Sequence, residues 1–269
     1  AAHFQELADL YKDLGIVKTT VLGSTHEKRN VIAYTIGRGK SGRSILVVGS
    51  ERANEWIGSL SLAYFATRLV QKYALNSAVT QVVENLHVHI VPVVNPDGVT
   101  YATSSSSKLH TEWQMNRATN AEKKHGVDVL TDFEAFSQAE PQAVRKFAQA
   151  HAKDLHAFAS VRCCGGAVKL PATATCPGSG AAKQKAVGEN LATAMGKGGS
   201  KKYGVAVDDN AAKHSSAWAF RELGLGLTFE LDARAPSGVS EPSSLKSGDL
   251  LQASQNVTMG VMELAKFVM

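Results

Sequence analysis

A chain of 269 residues with 44% hydrophobic side chains can bury a large core, in one sizeable domain or two small ones. Its formal charge of +5 and isoelectric point near 9.0 are mild for this length and do not mark a nucleic-acid-binding protein. Three cysteines, Cys163, Cys164 and Cys176, exclude a disulfide-stapled scaffold; they leave one bridge open, for example to Cys176, and do not fix the redox compartment. No apolar run reaches the roughly 18 residues of a membrane span. The chain starts at Ala1 with neither Met nor a signal-like apolar stretch. The expectation is a processed mitochondrial or secreted protein, or a trimmed chain.

In chain order, Phe4, Leu7, Leu10 and Leu14 form one helical stripe. Residues 17–23 and 31–37 are β-rich and joined by a polar turn, as in a hairpin. Ser44 to Gly49 is a nearly unbroken apolar run, the mark of a buried central strand. Ile57 to Tyr73 reads as a long amphipathic helix, and Leu86 to Val94 as a strand ending in the turn Asn95-Pro96-Asp97-Gly98. Residues 99–139 read as mostly irregular, Glu140 to Ala152 as a helix with Pro141 in its first turn, and Leu155 to Val161 as a strand. A Gly/Pro/Thr-rich loop follows over 163–181, then a helix over Ala182–Met195, a strand over Leu225–Leu231 and a last helix over Leu250–Phe267. Strands alternating with helices imply an α/β fold with a mostly parallel sheet and helices on both faces. Nothing in the pattern splits residues 1–269, so one domain is expected. In such sheets ligands sit at the carboxyl ends of strands, which here carry Ser50–Glu55, Asn95–Gly98, Arg162–Gly166 and Glu230–Arg234.

Several histidines and a glycine-rich stretch have plain readings. His87 and His89 alternate on a strand and share a face, but no third ligand is in reach by sequence, so they read as structural. His125, His151, His156 and His214 lack metal-motif spacing. Gly37-Arg-Gly-Lys-Ser-Gly42 matches a dinucleotide fingerprint by letter but leads into a strand, so it reads as a hairpin turn. Cys163 and Cys164 are adjacent, badly placed for an ordinary bridge, and read as small buried apolar groups. The sequon at Asn256 falls in a predicted helix, and Lys197–Lys202 reads as a solvated loop.

Four segments in order resemble the zinc metallocarboxypeptidases. Arg52-Ala-Asn-Glu-Trp-Ile57 is similar to the family's His-x-x-Glu metal motif with its trailing Trp-Ile. Asn95-Pro-Asp-Gly98 matches its turn, Glu140-Pro141 the segment before its third metal ligand, and Thr228-Phe-Glu-Leu231 the strand of its catalytic glutamate. The resemblance implies a mixed sheet of about eight strands flanked by helices. It also implies a zinc ion on two His and one Glu, a metal-activated water, a second Glu as general base and an Arg that grips the substrate carboxylate.

At those positions the chain departs from the family. Arg52 stands for the first zinc His, Glu55 keeps the carboxylate ligand, and Arg162 stands for the second His, or Cys164 under a rival alignment on Gly165-Gly166. A guanidinium stays protonated and has no lone pair for zinc, so neither alignment reaches the usual three protein ligands. In the substrate clamp, Gln114 replaces an Arg while Arg117 is kept, and Leu130 and Thr131 replace an Asn-Arg pair; no Tyr lies near Asp208–Asn210. Glu230 keeps the general-base position as a vestige. The expectation is that Arg52 and Arg162 offset Glu55 and Glu230 in place of the metal. The functional expectation is an inactive carboxypeptidase-like module without metal or other cofactor. It would bind a protein partner, for instance as an accessory subunit of a larger organellar assembly, without contacting nucleic acid. The alternatives are a zinc carboxypeptidase with unusual ligands such as Cys164, or metal-free hydrolysis by Glu230 with Cys163 or Cys164.

Overall fold

The computed structural model describes residues 2–119, 126–171, 180–197, 202–208, 211–234 and 246–269. Of the first stripe, Phe4 and Leu7 are buried in helix α1 (Ala2–Leu10), whereas Leu10 is exposed and Leu14 falls in a short 3-10 turn beyond it; the hairpin forms β1 (Val17–Ser24) and β2 (Asn30–Ile36). The glycine-rich stretch is the predicted turn, with Gly37 and Gly39 at positive φ, and it leads into β3 (Arg43–Gly49). There follow α2 (Ile57–Lys72), α3 (Ser77–Asn85), β4 (Leu86–Val91), α4 (Pro96–Ala102), α5 (Lys108–Thr111), α6 (Ala139–Ala150) and β5 (Leu155–Pro171). The chain continues as α7 (Ala181–Gly196), β6 (Gly204–Asp208), α8 (Ser215–Glu222), β7 (Thr228–Arg234) and α9 (Ser247–Val268).

The sheet is mixed. β2 pairs antiparallel with β1 and β4, while β3 pairs parallel with β4 and β5. Seven strands are present among the described residues, and β5 accounts for two rows of the sheet. Its partners on β7 rise from Thr228 to Ala233 opposite Phe158–Cys163, then fall from Asp232 to Glu230 opposite Ala167–Lys169. The chain therefore reverses around Cys164–Gly166, and the two halves of β5 bracket β7, with β6 beyond on the second half. Gly166 at φ +69 supplies a backbone conformation that L side chains rarely adopt. The loop predicted from residue 163 is thus strand as far as Pro171, since each half of β5 finds a ladder on β7. Cys163 and Cys164 are corrected too. They are half-buried at the reversal, where their side chains meet on one side, and they are bonded to each other. Cys176 and His125 lie outside the described residues.

Alternate residues of the central strands feed two cores, as the two-residue period of a strand requires. Ile45, Val47, Ala159, Val161 and Phe229 pack beneath α1, α2, α7 and α9. Leu46, Val48 and Phe158 pack against Val144 and Phe147 of α6 and Trp218 of α8. The predicted turn after β4 opens a helix: Asn95 caps α4 by accepting the Gly98 N–H at 2.9 Å, with Pro96 at the first helical position. Asp97 is fully buried and accepts hydrogen bonds from Thr25 Oγ1 and the Glu27 N–H, both at 2.8 Å, which pins this turn to the hairpin. His87 and His89 share a face, with His89 buried, its ring against Phe147 and His151, and its Nδ1 2.8 Å from Thr35 Oγ1. Burial first, then the neighbouring His151 and His87, lowers the His89 pKa to about 3.

The start of α2 is held against β3 by two glycines. A Cβ on Gly49 would meet the Gly58 carbonyl carbon at 2.9 Å, and one on Gly58 would meet the Ser50 nitrogen at 2.8 Å and the Val161 oxygen at 2.9 Å. All three atoms are backbone and none can swing aside. Gly58→Ala is expected to destabilise the protein by about 1–3 kcal/mol in chemical denaturation, because α2 must lift from the sheet. A neutral result would show that the helix is free to move there.

Candidate functional site

The end of β3, the first half of β5 and the start of β7 converge on one buried charge cluster. The loop after β3 contributes Glu51 and Glu55, β5 contributes Ser160 and Arg162, and β7 contributes Glu230, which lies beside Ser160 in the ladder. Residues 160 and 162 point to the same side because they are two apart on a strand. α8 brings His214 and Ser216 at its start.

Arg162 is the centre. Its Nε donates to Glu55 Oε2 at 2.6 Å and its Nη2 to Glu55 Oε1 at 2.5 Å, the paired geometry a guanidinium makes with a carboxylate. Its Nη1 lies 3.8 Å from Glu230 Oε2. Both Arg162 and Glu55 are 6% exposed. Burial alone would lower the Arg162 pKa; Glu55, then Glu230 and Glu51, reverse this and raise it.

The other two carboxylates are treated differently. Burial works to raise the pKa of Glu230, but His214, with Nδ1 at 2.8 Å from Oε1, and the Arg162 charge hold it at about 2. Ser216 adds a hydrogen bond to Oε1 at 3.2 Å. Because Glu230 is ionised, His214 Nδ1 is the donor. Glu51, 1% exposed, takes a hydrogen bond from Ser160, and its pKa is raised by burial against the opposing pull of Arg162.

The structure brings Arg162, Glu55 and Glu230 together, but not Arg52. The expected second offset to the glutamates is corrected: Arg52 donates from Nε at 3.0 Å and Nη2 at 2.7 Å to Asp128 Oδ2, near the surface. Asp128 is half-exposed, so the pair forms there without the desolvation that insertion beside Glu55 would demand. Cys164 is bonded to Cys163 and touches neither glutamate.

Residues of the expected substrate clamp are scattered. Arg117 lies over the rings of Tyr101 at 4.0 Å and Trp113 at 4.9 Å. Gln114 is exposed, and its carbonyl accepts the Ala53 N–H. Leu130 is fully buried, and the Thr131 hydroxyl donates to the Asp128 carbonyl at 3.1 Å. Asp209 and Asn210 lie outside the described residues.

Glu51, Ser160, His214 and Ser216 escaped the sequence reading. Ser160 had the weak signal of lying two residues before Arg162 on a strand. His214 had none, since α8 was not predicted.

A zinc ion does not fit this constellation. Both Glu55 oxygens are held by a permanent cation, and a guanidinium offers no lone pair. Among the described residues, no group of three or more His, Cys, Asp or Glu is placed to hold a metal.

Comparison with known proteins places this cluster in context. The profile described as "Zinc carboxypeptidase" matches residues 1–244. A Talaromyces marneffei protein described as "Inactive metallocarboxypeptidase ecm14" is 31% identical over 103 residues, which is 36% of this chain and 17% of that protein. "Metallocarboxypeptidase A" of Arthroderma otae is 35% identical over 102 residues, 36% of this chain and 23% of that protein. The chain thus spans less than a quarter of the length of these relatives. Thrombin-activatable fibrinolysis inhibitor superposes with a TM-score of 0.88 at 18% identity, covering 98% of this chain and 72% of that one. Carboxypeptidase A of Helicoverpa armigera superposes at 0.80 and 17%, covering 98% and 71%. Both show the fold.

Arg162→Met is expected to cost about 3–5 kcal/mol in equilibrium unfolding, because it strands two buried carboxylates. Adding Glu55→Gln should restore at least ~1 kcal/mol of that loss; additive costs would mean the two do not interact. Glu230 gives a pH signature. Its folded pKa of about 2 lies below the unfolded value near 4.3, so its contribution is present above pH ~4.3 and is lost as pH falls toward 2. Glu230→Gln should flatten the acid limb of the stability profile in that window; an unchanged limb would show that Glu230 is not held ionised.

Proposed function

The chain belongs to the zinc carboxypeptidase family, and within it we propose that residues 1–269 form one non-catalytic domain, a protein-binding module in which the peptidase centre has become an internal ion pair. The observation that carries this is the paired contact of Arg162 with both oxygens of Glu55, 3.8 Å from Glu230.

On this reading Arg52, Glu55 and Arg162 occupy the positions of the family's His, Glu and His zinc ligands, and Glu230 that of its general base. One guanidinium then balances carboxylates that a divalent ion balances in the active enzymes. Without a metal-bound water, Glu230 has no proton to abstract, and its oxygen is instead committed to His214 and Ser216. The altered clamp fits the same reading. Gln114, Leu130 and Thr131 offer no guanidinium for a substrate's terminal carboxylate, and Arg117 is spent on Tyr101 and Trp113. The description of the Talaromyces relatives as inactive supports it too, within the segment they share. What such a domain offers is surface, and the role proposed is that of an accessory subunit joined to a protein partner.

Metal analysis tests this directly. Protein purified in zinc-supplemented buffer is expected to retain well below one zinc per chain and to release no C-terminal residue from peptides. The double variant Arg52→His, Arg162→His is expected to gain stoichiometric zinc, since it rebuilds a two-His, one-Glu set around Glu55. One zinc per unaltered chain, with chelator-sensitive peptidase activity, overturns the proposal in favour of an active enzyme. A double variant that stays metal-free overturns the positional assignment.

A further inference from the structure

A second surface lies toward the other end of α2. The C-terminal half of α2, the side of α3 and the outer stripe of α9 enclose a groove of about 550 Å³. Its floor is apolar, with Phe65 and Leu69 from α2, Val79 from α3, and Met259 and Met262 from α9. Met259 is 42% exposed.

The α2, α7 and α9 sides of the groove are basic, whereas α3 contributes Asn76, Ala78 and Val79. Arg68 and Lys72 stand one turn apart on α2, Lys197 follows the end of α7, and Lys266 occupies the last turn of α9. Among the described residues only Lys266 of these four has a carboxylate partner, Glu263 at 2.7 Å. Among the described residues, three cations around this apolar trough have no carboxylate partner.

We propose that this groove docks an acidic amphipathic helix of a partner protein, its apolar stripe on Met259 and Met262 and its flanking carboxylates on Arg68, Lys72 and Lys197. The charge arrangement selects that occupant. Arg68 and Lys72 on α2, Lys197 just after α7 and Lys266 on α9 line a trough that follows α9 from Gln255 to Lys266, roughly 16 Å or three helical turns. Carboxylates repeated along both flanks of a helix reach all of them, whereas a single anionic headgroup reaches one end. Methionines adapt their shape to an incoming apolar ridge, which suits helix-in-groove recognition. The groove is independent of the Arg162 cluster. A protein that proved to bind zinc could still use it, and an inert centre does not require it.

The test uses the whole chain and a fluorescent, helix-stapled probe of about 14 residues, with leucines along one stripe and glutamates on both flanks. Fluorescence anisotropy should show saturable binding that weakens with added salt. Hydrogen exchange should show protection confined to residues 64–79 and 255–266. Arg68→Glu with Lys72→Glu should weaken binding at least about tenfold, and so should Met259→Asp, with melting curves confirming that both variants stay folded. A probe with lysines in place of glutamates should bind at least about tenfold more weakly. No saturation by the acidic probe up to millimolar concentration overturns the proposal. So do equal affinities for the two probes, protection elsewhere, or a preference for phosphatidylserine vesicles over the peptide, which would make the groove a membrane contact.

Discussion

One buried guanidinium surrounded by carboxylates is the constraint to which the centre of this fold is built. A charge taken out of water is tolerated only where opposite charge and hydrogen bonds replace hydration. Arg162 meets that condition through Glu55, whose two oxygens match its fork, and through the nearer oxygen of Glu230. A divalent cation would balance two carboxylates; a guanidinium balances one. The surplus is handled in two ways. Glu230 stays ionised on the hydrogen bonds of His214 and Ser216, while burial raises the pKa of Glu51 against the pull of Arg162.

The scaffold makes this possible by gathering strand ends. β3, β5 and β7 are adjacent and parallel where they reach the cluster, so residues distant in sequence, 51–55, 160–162 and 230, arrive on one side. Beyond Arg162 the chain must leave without covering the site, and the reversal at Gly165-Gly166 returns it along the far side of β7. Asp232 closes that turn by accepting the Gly165 N–H at 2.7 Å and pairing with Lys169 at 2.7 Å, so the second half of β5 is tied down by charge as well as by its ladder.

What the sequence discloses follows from which forces are local. β3 was legible because a strand buried on both faces must be continuously apolar, and α2 and α9 because their apolar stripes repeat over many turns. The second half of β5 was not, because Cys-Cys-Gly-Gly followed by a mixed run carries loop composition, and only the distant β7 supplies its partners. β6, five residues long, depends in the same way on β5. At the site, Arg162 and Glu55 could be named because a chemical misfit at a motif position is visible in letters. Their contact to each other was an inference from charge, and Arg52 shows its limit. The same argument placed Arg52 beside the glutamates, yet the nearer, more hydrated Asp128 takes it, since a side chain with a cheaper partner has no reason to enter a buried site. His214 carries no local signal, being defined by what lies across the cluster, and Glu51 was in reach only as part of the strand-end segment Ser50–Glu55.

α2 links the two surfaces that matter. Its first residue follows the loop that holds Glu55, its start is locked to β3 through Gly49 and Gly58, and its last two turns carry Arg68 and Lys72. Over 16 residues, roughly 24 Å, it changes from buried support for an ion pair to one wall of a basic groove. A change at one end leaves the other end untouched, provided the loop that carries Glu55 stays in place. A guanidinium that grips Glu55 at both oxygens does this: it holds the loop, and with it the start of α2. The ion pair is thus a structural contact as well as an electrostatic one, since the carboxylate that balances Arg162 also anchors the loop.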